Sequence, residues 1–315
     1  MTTILVIQSP EYDFCQSTLI EGLISFVKKR EDIQFKCTEL SNYAKTDSWD
    51  YSCSEQEAIN FGKLADVIVL CSNNGVKEYL VDQIDPEHKK IVYLDGEDTS
   101  WYKKDPKDFV LYFKREMLLE QIHPRNVYPF QFAAENRYFS SYNFDEIWNK
   151  KQLDVMCAFG PHDDTKSWRS IIENKLKEMN LTNSQIGSIY GNNKDIIDTG
   201  NRNHQNYYEK LRLSRISVDS YGSLACESGR KYESLANGCC LLTQKSRIHV
   251  SFELINNEHC IEYTPNNIQE KVQYLLDNPD KVKRVAENGF DFMLKHHTSA
   301  RRAEFFSNIC KSFIG

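Results

Sequence analysis

The residues best suited to hold an anionic ligand lie in one short segment of the second half of the chain. Ser228 and Gly229 precede a predicted helix over 229–237, and Arg230 lies in its first turn. Free backbone amides at the start of a helix form an anion site. A bound diphosphate would offset the unfavourable position of Arg230 near the positive end of the helix dipole. Glu233, one turn further on, is placed to accept both hydroxyls of a ribose. Alternatively, Arg230 and Glu233 form a surface ion pair that contributes little to stability.

A second group of candidate residues is acidic and follows a predicted strand over 91–94. The acids are Asp95, Glu97 and Asp98. Ligands of open α/β sheets bind outside the carboxyl ends of the strands. These carboxylates are therefore candidates for a base that deprotonates an acceptor hydroxyl, together with Asp13 and His123. The Asp-Gly pair that opens the group is also a strong turn signal, so a structural role stays open.

Short apolar runs alternate with longer amphipathic stretches along the chain, which predicts parallel sheets with covering helices. In the first half, strands are predicted over 4–7, 33–40, 66–71, 91–94 and 110–113, and helices over 15–29, 55–64 and 75–82. The second series has strands over 153–159, 216–219, 239–243 and 261–263, a strand ending near Tyr190 and Gly191, and helices over 168–179, 207–214, 229–237, 268–277, 279–296 and 300–313. Residues 120–144, rich in aromatics and interrupted by prolines, are interpreted as an inter-domain connection.

Composition narrows the class of protein. A chain of 315 residues is long enough for two domains, and a net charge of −6 argues against a general DNA-coating role. The ten cysteines are scattered and include no Cys-x-x-Cys pair, so neither a disulfide framework nor a structural zinc site is expected. The apolar runs are strand-sized, and the N-terminal run is too short for a signal peptide. We therefore expect a cytoplasmic protein without integral membrane association.

Four ordered sequence blocks carry a family resemblance. They are RKYESLANGCCLLT over 230–243, NNEHCIEY over 256–263, LLDNPDKVKRVAENG over 275–289 and KHHTSARRA over 295–303. This pattern resembles the CgeB-like (spore-coat-maturation) glycosyltransferases, which are relatives of the retaining family 4 of GT-B enzymes. The resemblance covers about 207–306. It extends more weakly to LDGED over 94–98 and YFKRE over 112–116.

The resemblance implies a role for individual residues. Glu233 matches the acid that holds the donor ribose, and Arg230 with the amides near Ser228 and Gly229 matches the diphosphate-binding turn. Further positions that it implies are Gly160 at the donor cleft, Lys166 and Arg169 as phosphate contacts, and Tyr190 and Gly191 near the nucleobase.

The sequence departs from the family 4 pattern at one position. That family usually carries a second glutamate eight positions before the ribose-binding one, and this chain has Ala225 there. Either Glu227, two residues later, takes the role, or the contact to the sugar is missing. The departure leaves a retaining and an inverting mechanism open. It also suggests the alternative of a nucleotide-sugar-binding protein of the same fold without transferase activity.

Together these features predict an α/β chain of the GT-B fold, with two Rossmann-like domains facing a cleft. We expect an acceptor-side domain over 1–145, a nucleotide-sugar domain over 146–298, and a C-terminal helix over 299–315 that returns to the first domain. The resemblance implies metal-independent transfer from a nucleoside-diphosphate sugar, with retention favoured and no cofactor. The acceptor classes are a glycan, a lipid-linked glycan, a protein or a modified nucleobase. A dehydrogenase is disfavoured, because no Gly-x-Gly-x-x-Gly follows the first strand.

Overall fold

A computed structural model describes residues 2–10, 13–29, 32–38, 51–72, 75–159, 168–187, 205–221 and 227–314. The chain divides into two compact units. The first comprises Met1–Glu135, Arg247–Ser251 and Thr298–Gly315, and the second comprises Asn136–Ser246 and Phe252–His297. Among the described residues, no helix is long and apolar enough to cross a membrane.

The first unit is built on a parallel sheet of seven strands in the order β3-β2-β1-β4-β5-β6-β7. The strands are β1 (Thr2–Ile7), β2 (Ile33–Thr38), β3 (Ser52–Cys53), β4 (Val67–Cys71), β5 (Ile91–Asp95), β6 (Leu111–Lys114) and β7 (Val127–Pro129), and the helices are α1 (Phe14–Val27), α2 (Glu55–Leu64) and α3 (Tyr79–Ile84). Strands β4, β5 and β6 are buried along their whole length, which explains why they read as continuous apolar runs.

The second unit has a parallel sheet of five strands in the order β12-β11-β10-β8-β9. Its helices are α4 (Phe144–Trp148), α5 (Trp168–Glu178), α6 (Gln205–Leu213), α7 (Arg230–Ala236), α8 (Ile268–Leu276) and α9 (Pro279–His296), and its strands are β8 (Leu153–Cys157), β9 (Ser184–Ile186), β10 (Ser214–Val218), β11 (Cys240–Thr243) and β12 (Ile261–Glu262). Helix α7 runs directly into β11 through Gly238, whose φ of 61° is the left-handed conformation that favours glycine.

The C-terminal helix α10 (Ser299–Ile314) belongs to the first unit and packs closely on α1. A Cβ added at Gly22 of α1 would lie 2.6 Å from the Cβ of Ala303 and would collide with the carbonyl of Ser299. The fully buried Arg302 of α10 donates a hydrogen bond of 3.0 Å to the carbonyl of Phe132. The ring of Phe306 lies 4.8 Å from that of Phe113 in β6. Glycine at position 22 therefore sets how near the two helices approach.

Some predicted elements differ from the structure. The predicted connection over 120–144 contains β7, which pairs in parallel with β6 and extends the first sheet. The helix predicted over 75–82 forms at Tyr79–Ile84 instead, because Gly75 has a φ of 75°, outside the helical region. The strand predicted to end near Tyr190 and Gly191 is β9, and these two residues lie outside the described part of the chain.

Candidate functional site

The turn that leads into α7 is closed by its own hydrogen bonds. The amide of Arg230 donates to the Ser228 hydroxyl oxygen at 3.1 Å, and the amide of Lys231 donates to the Ser228 carbonyl at 3.3 Å. The amide of Tyr232 donates to the carbonyl of Gly229 at 3.0 Å. These hydrogen bonds engage the first three amides of α7 within the turn, whereas the amides that the resemblance implies for the diphosphate are those near Ser228 and Gly229.

Two arginine side chains converge on one aromatic ring. The guanidinium of Arg230 lies 5.4 Å from the centroid of the buried Phe159 ring, and that of Arg169 lies 6.0 Å from it. Arg169 also donates from Nε to the carbonyl of Tyr221 at 3.3 Å. Burial lowers the pKa of Arg169, and the nearby positive charge of Arg230 lowers it further. Arg169 and Arg230, here called the arginine pair, thus bring two permanent charges to one ring.

Asp219 is the buried carboxylate beside the arginine pair. It follows β10 directly, and its Oδ1 lies 3.8 Å from Nη1 of Arg230. The hydroxyl of Tyr263 donates to its carbonyl at 2.6 Å. Burial raises the pKa of Asp219, while Lys231, Arg230 and Arg169 each oppose that rise. Three cationic side chains therefore act on this one carboxylate.

Glu227, the candidate to take the role of the family 4 glutamate that is missing at Ala225, forms a buried pair with Lys231. Lys231 Nζ lies 2.9 Å from Glu227 Oε1, and the hydroxyl of Tyr232 donates to Oε2 at 3.0 Å. Burial lowers the pKa of Lys231, but the carboxylates of Glu227 and Asp219 outweigh it, so the net effect is a raised pKa. Because both oxygens of Glu227 have partners within this cluster, the geometry favours a role in holding the turn.

Glu233 lies one turn beyond Arg230 on α7 and is held by two tyrosines of α6. The hydroxyl of Tyr207 donates to Oε2 at 2.9 Å, and the hydroxyl of Tyr208 donates to Oε1 at 3.3 Å. Tyr207 and Tyr208 are called the tyrosine pair below. Glu233 is 9% exposed.

Several predicted residues cannot be located at this site. Gly160, Lys166, Tyr190 and Gly191 lie outside the described residues, as does Ala225. Of the residues that sequence reasoning passed over, Phe159 and Asp219 follow the carboxyl ends of β8 and β10. The rule that ligands bind outside those ends was the signal that could have found both.

In the first unit, the predicted acid Asp95 is fully buried in an ion pair. Its Oδ2 accepts from Lys114 Nζ at 3.0 Å and from the hydroxyl of Tyr112 at 2.6 Å. Its Oδ1 accepts from the amide of Glu97 at 3.2 Å. Asp95 and Lys114 both have side chains that are 0% exposed. Asp95 therefore anchors the loop that carries Glu97 and Asp98.

The other acids of this loop are more exposed and are also paired. Glu97 forms an ion pair of 2.9 Å with Lys103, and Asp98 pairs with Arg115. Asp13 is buried and caps α1, accepting from the amide of Gln16 at 2.9 Å. Burial raises the pKa of Asp13 against the opposing charge of Arg115.

Asp13 and the loop after β5 approach each other at Gly96. A Cβ at position 96 would lie 2.6 Å from Cγ of Asp13, so a glycine permits this approach. The candidate base His123 has contacts at both ring nitrogens, with Nδ1 2.6 Å from the hydroxyl of Tyr102 and Nε2 2.8 Å from the carbonyl of Leu118. Asp13 thus lies beside the loop that carries Glu97 and Asp98.

The chain has the GT-B fold of glycosyltransferases, with two Rossmann-like domains that are each built on a parallel sheet. An α-glucosyltransferase in complex with UDP-glucose and DNA containing an abasic site matches with a TM-score of 0.63 at 12% identity, over 98% of this chain and 99% of its own. A glycosyltransferase from Rickettsia africae ESF-5 matches with a TM-score of 0.64 at 12% identity, over 99% and 98%. HepE from Anabaena in complex with UDP-glucose matches with a TM-score of 0.61 at 9% identity, over 99% and 100%.

Residues 169–308 match the model of a family described as glycosyl transferase-like. This range includes the arginine pair, Asp219, the tyrosine pair and Glu233. No curated protein matches the chain.

Proposed function

We propose that this protein is a glycosyltransferase that binds a nucleoside-diphosphate sugar in its second unit and transfers the sugar to an acceptor. The observation that carries the proposal is the arginine pair. Two guanidiniums lie within 6.0 Å of the centroid of one ring, with the carboxylate of Asp219 beside Arg230. A diphosphate is an anion to which each guanidinium offers a fork of donors.

The arginine pair would also assist the chemical step. Transfer of a glycosyl group passes through an oxocarbenium-like transition state, and negative charge develops on the departing diphosphate. Fixed guanidinium donors in a partly buried site stabilise that charge without reorganisation. This is the physical basis for proposing that the reaction proceeds without a metal ion.

Glu233 would hold the ribose of the donor. A carboxylate has about four acceptor positions, enough for both hydroxyls of a ribose in addition to existing partners. UDP-glucose is bound in two of the similar structures, which makes UDP and its sugars the first donors to test. The resemblance of the C-terminal blocks to CgeB-like relatives of family 4 supports retention of the anomeric configuration.

The acceptor is proposed as a glycan, a lipid-linked glycan, a protein or a modified nucleobase. The similar α-glucosyltransferase is in complex with DNA, so DNA oligonucleotides with modified bases belong in the acceptor panel. Asp13, Glu97 and Asp98 are the acceptor-side carboxylates that the proposal assigns to orienting the acceptor hydroxyl.

The proposal is tested in two stages. First, thermal shift with UDP, GDP, ADP and their sugars identifies the donor, because a ligand that binds the folded state alone raises the melting temperature. Second, release of the nucleoside diphosphate is followed with the acceptor panel, with and without EDTA, and NMR reads the anomeric configuration of the product.

We expect binding and turnover by the wild type, loss of both in Arg230→Ala, and no loss in Arg284→Ala, a matched control at an exposed arginine of α9. Binding without turnover across the panel would favour a nucleotide-sugar-binding protein instead. No binding of any nucleoside diphosphate would refute the proposal.

A further inference from the structure

The tyrosine pair holds the carboxylate of Glu233 from two sides. Tyr207 and Tyr208 are neighbours on α6, yet their hydroxyls reach different oxygens of the same carboxylate, at 2.9 Å and 3.3 Å. Adjacent helical residues point about 100° apart. Because each hydroxyl bonds a different oxygen, the two hydrogen bonds together constrain the orientation of the carboxylate as well as its position.

Packing holds the tyrosine rings themselves in place. Tyr207 is 3% exposed and packs in a core cluster with Met156 and Leu211. The rings of Tyr207 and Tyr208 lie 5.2 Å apart, and the Tyr208 ring lies 5.6 Å from that of Tyr138. A side chain locked by packing can orient the group that it contacts.

The carboxylate of Glu233 has more acceptor positions than the tyrosine pair uses. An ionised carboxylate has two oxygens with about two lone pairs each. Among the described residues, the tyrosine pair accounts for one position on each oxygen of Glu233, so a second position on each is left for the two hydroxyls of a vicinal diol. Arg230, one turn away on the same helix, would then face the phosphate end of the same ligand.

We propose that Tyr207 and Tyr208 are positioning residues that present Glu233 to the 2′ and 3′ hydroxyls of a ribose, so that the site selects ribonucleotides over 2′-deoxyribonucleotides. This inference rests on the proposed function, which supplies the nucleoside diphosphate. Tyr207, with the shorter hydrogen bond and the deeper burial, contributes more to the selectivity than Tyr208.

The test compares affinities for the ribo and 2′-deoxy forms of whichever of UDP, GDP or ADP binds most tightly, by calorimetry. Tyr207→Phe keeps the ring and removes the hydroxyl. A hydrogen bond to a charged group contributes enough that we expect the ribo-to-deoxy affinity ratio to fall about tenfold. Tyr208→Phe should lower the ratio less. Tyr274→Phe, at an exposed tyrosine of α8, is the matched control and should leave the ratio unchanged.

A double-mutant cycle separates positioning from a general structural effect. In a Glu233→Ala background the preference for ribose should be absent, and adding Tyr207→Phe should not change the ratio again. If Tyr207→Phe and Tyr208→Phe weakened both nucleotide forms equally, or left the ratio at the wild-type value, the inference would be overturned while the donor site stood. If the wild type bound no nucleoside diphosphate, the proposed function itself would fail.

Discussion

Replacing Arg230 with alanine should weaken the binding of UDP far more than the binding of uridine. The side chain of Arg230 is 14% exposed and its guanidinium lies over the Phe159 ring, so solvent screens its charge only weakly. A hydrogen bond to a charged group contributes about 1.5–3 kcal/mol. We therefore expect the Kd for UDP to rise about 10- to 150-fold.

The variant also changes the protein without ligand, which decides how the assay is designed. Arg230 lies 3.8 Å from Asp219, and its removal leaves that buried carboxylate to Arg169 and Lys231. The melting temperature of the unliganded variant should therefore fall. Calorimetric titration at a temperature where both proteins are folded avoids this effect. Arg230→Lys, which keeps the charge but loses the planar fork, should be intermediate.

Ligands that differ only in their phosphates separate the role of Arg230 from a general loss of binding. UDP, UMP and uridine share a base and a ribose and differ in phosphate charge. Arg230→Ala should reduce the difference in affinity between UDP and uridine, and Arg284→Ala should leave it unchanged. If Arg230→Ala bound UDP as the wild type does, or lost affinity for UDP and uridine equally, the assignment of Arg230 to the diphosphate would be refuted.

Three further predictions concern stability, measured by urea unfolding. Lys114→Ala leaves the buried charge of Asp95 without its cation and should lower the free energy of unfolding by about 3–5 kcal/mol. A decrease of less than about 1 kcal/mol would contradict the geometry of this pair. Gly22→Ala should lower the free energy of unfolding by about 1–3 kcal/mol, because its Cβ would clash with the Ser299 carbonyl, although alanine is the better helix former. A gain in stability would show that α1 and α10 can move apart at no cost. Asp13→Asn keeps a good helix cap. Burial raises the pKa of Asp13 in the folded protein, so the ionisation of Asp13 in the wild type opposes folding as pH rises through that pKa. The variant should be more stable than the wild type at pH 7, with the difference fading as pH falls below the ordinary value of 3.8, and a pH-independent difference would contradict it.

Elements with strong local signals could be predicted closely from the sequence. The helix predicted over 55–64 is α2, with a capping box between Ser54 and Glu57 at its start. The helix predicted over 279–296 is α9, which begins at a proline. By contrast β7 has three residues, one of them proline, and its place in the sheet comes from pairing with β6. Such a strand has no periodicity of its own to detect.

Only the part of the site that lies close together in the sequence could be predicted from it. Arg230 and Glu233 could be proposed because they lie within one turn of a helix. Their partners come from distant parts of the chain, since Phe159 follows β8 and the tyrosine pair lies on α6. Only the fold brings these residues together. The sequence predicted Asp95 as a candidate base or a turn residue, and its burial depends on Lys114 of the neighbouring strand, which the sequence pattern alone does not place beside it.

The central claim is that the arginine pair and Glu233 form the binding site of a nucleoside diphosphate. A crystal structure of the protein with UDP bound tests it most directly. The account predicts phosphate oxygens within about 3.2 Å of both guanidiniums, ribose hydroxyls at the same distance from Glu233, and Tyr207 still bonded to that carboxylate. UDP bound away from Arg230 and Glu233, with the arginine pair arranged as it is without ligand, would contradict the account.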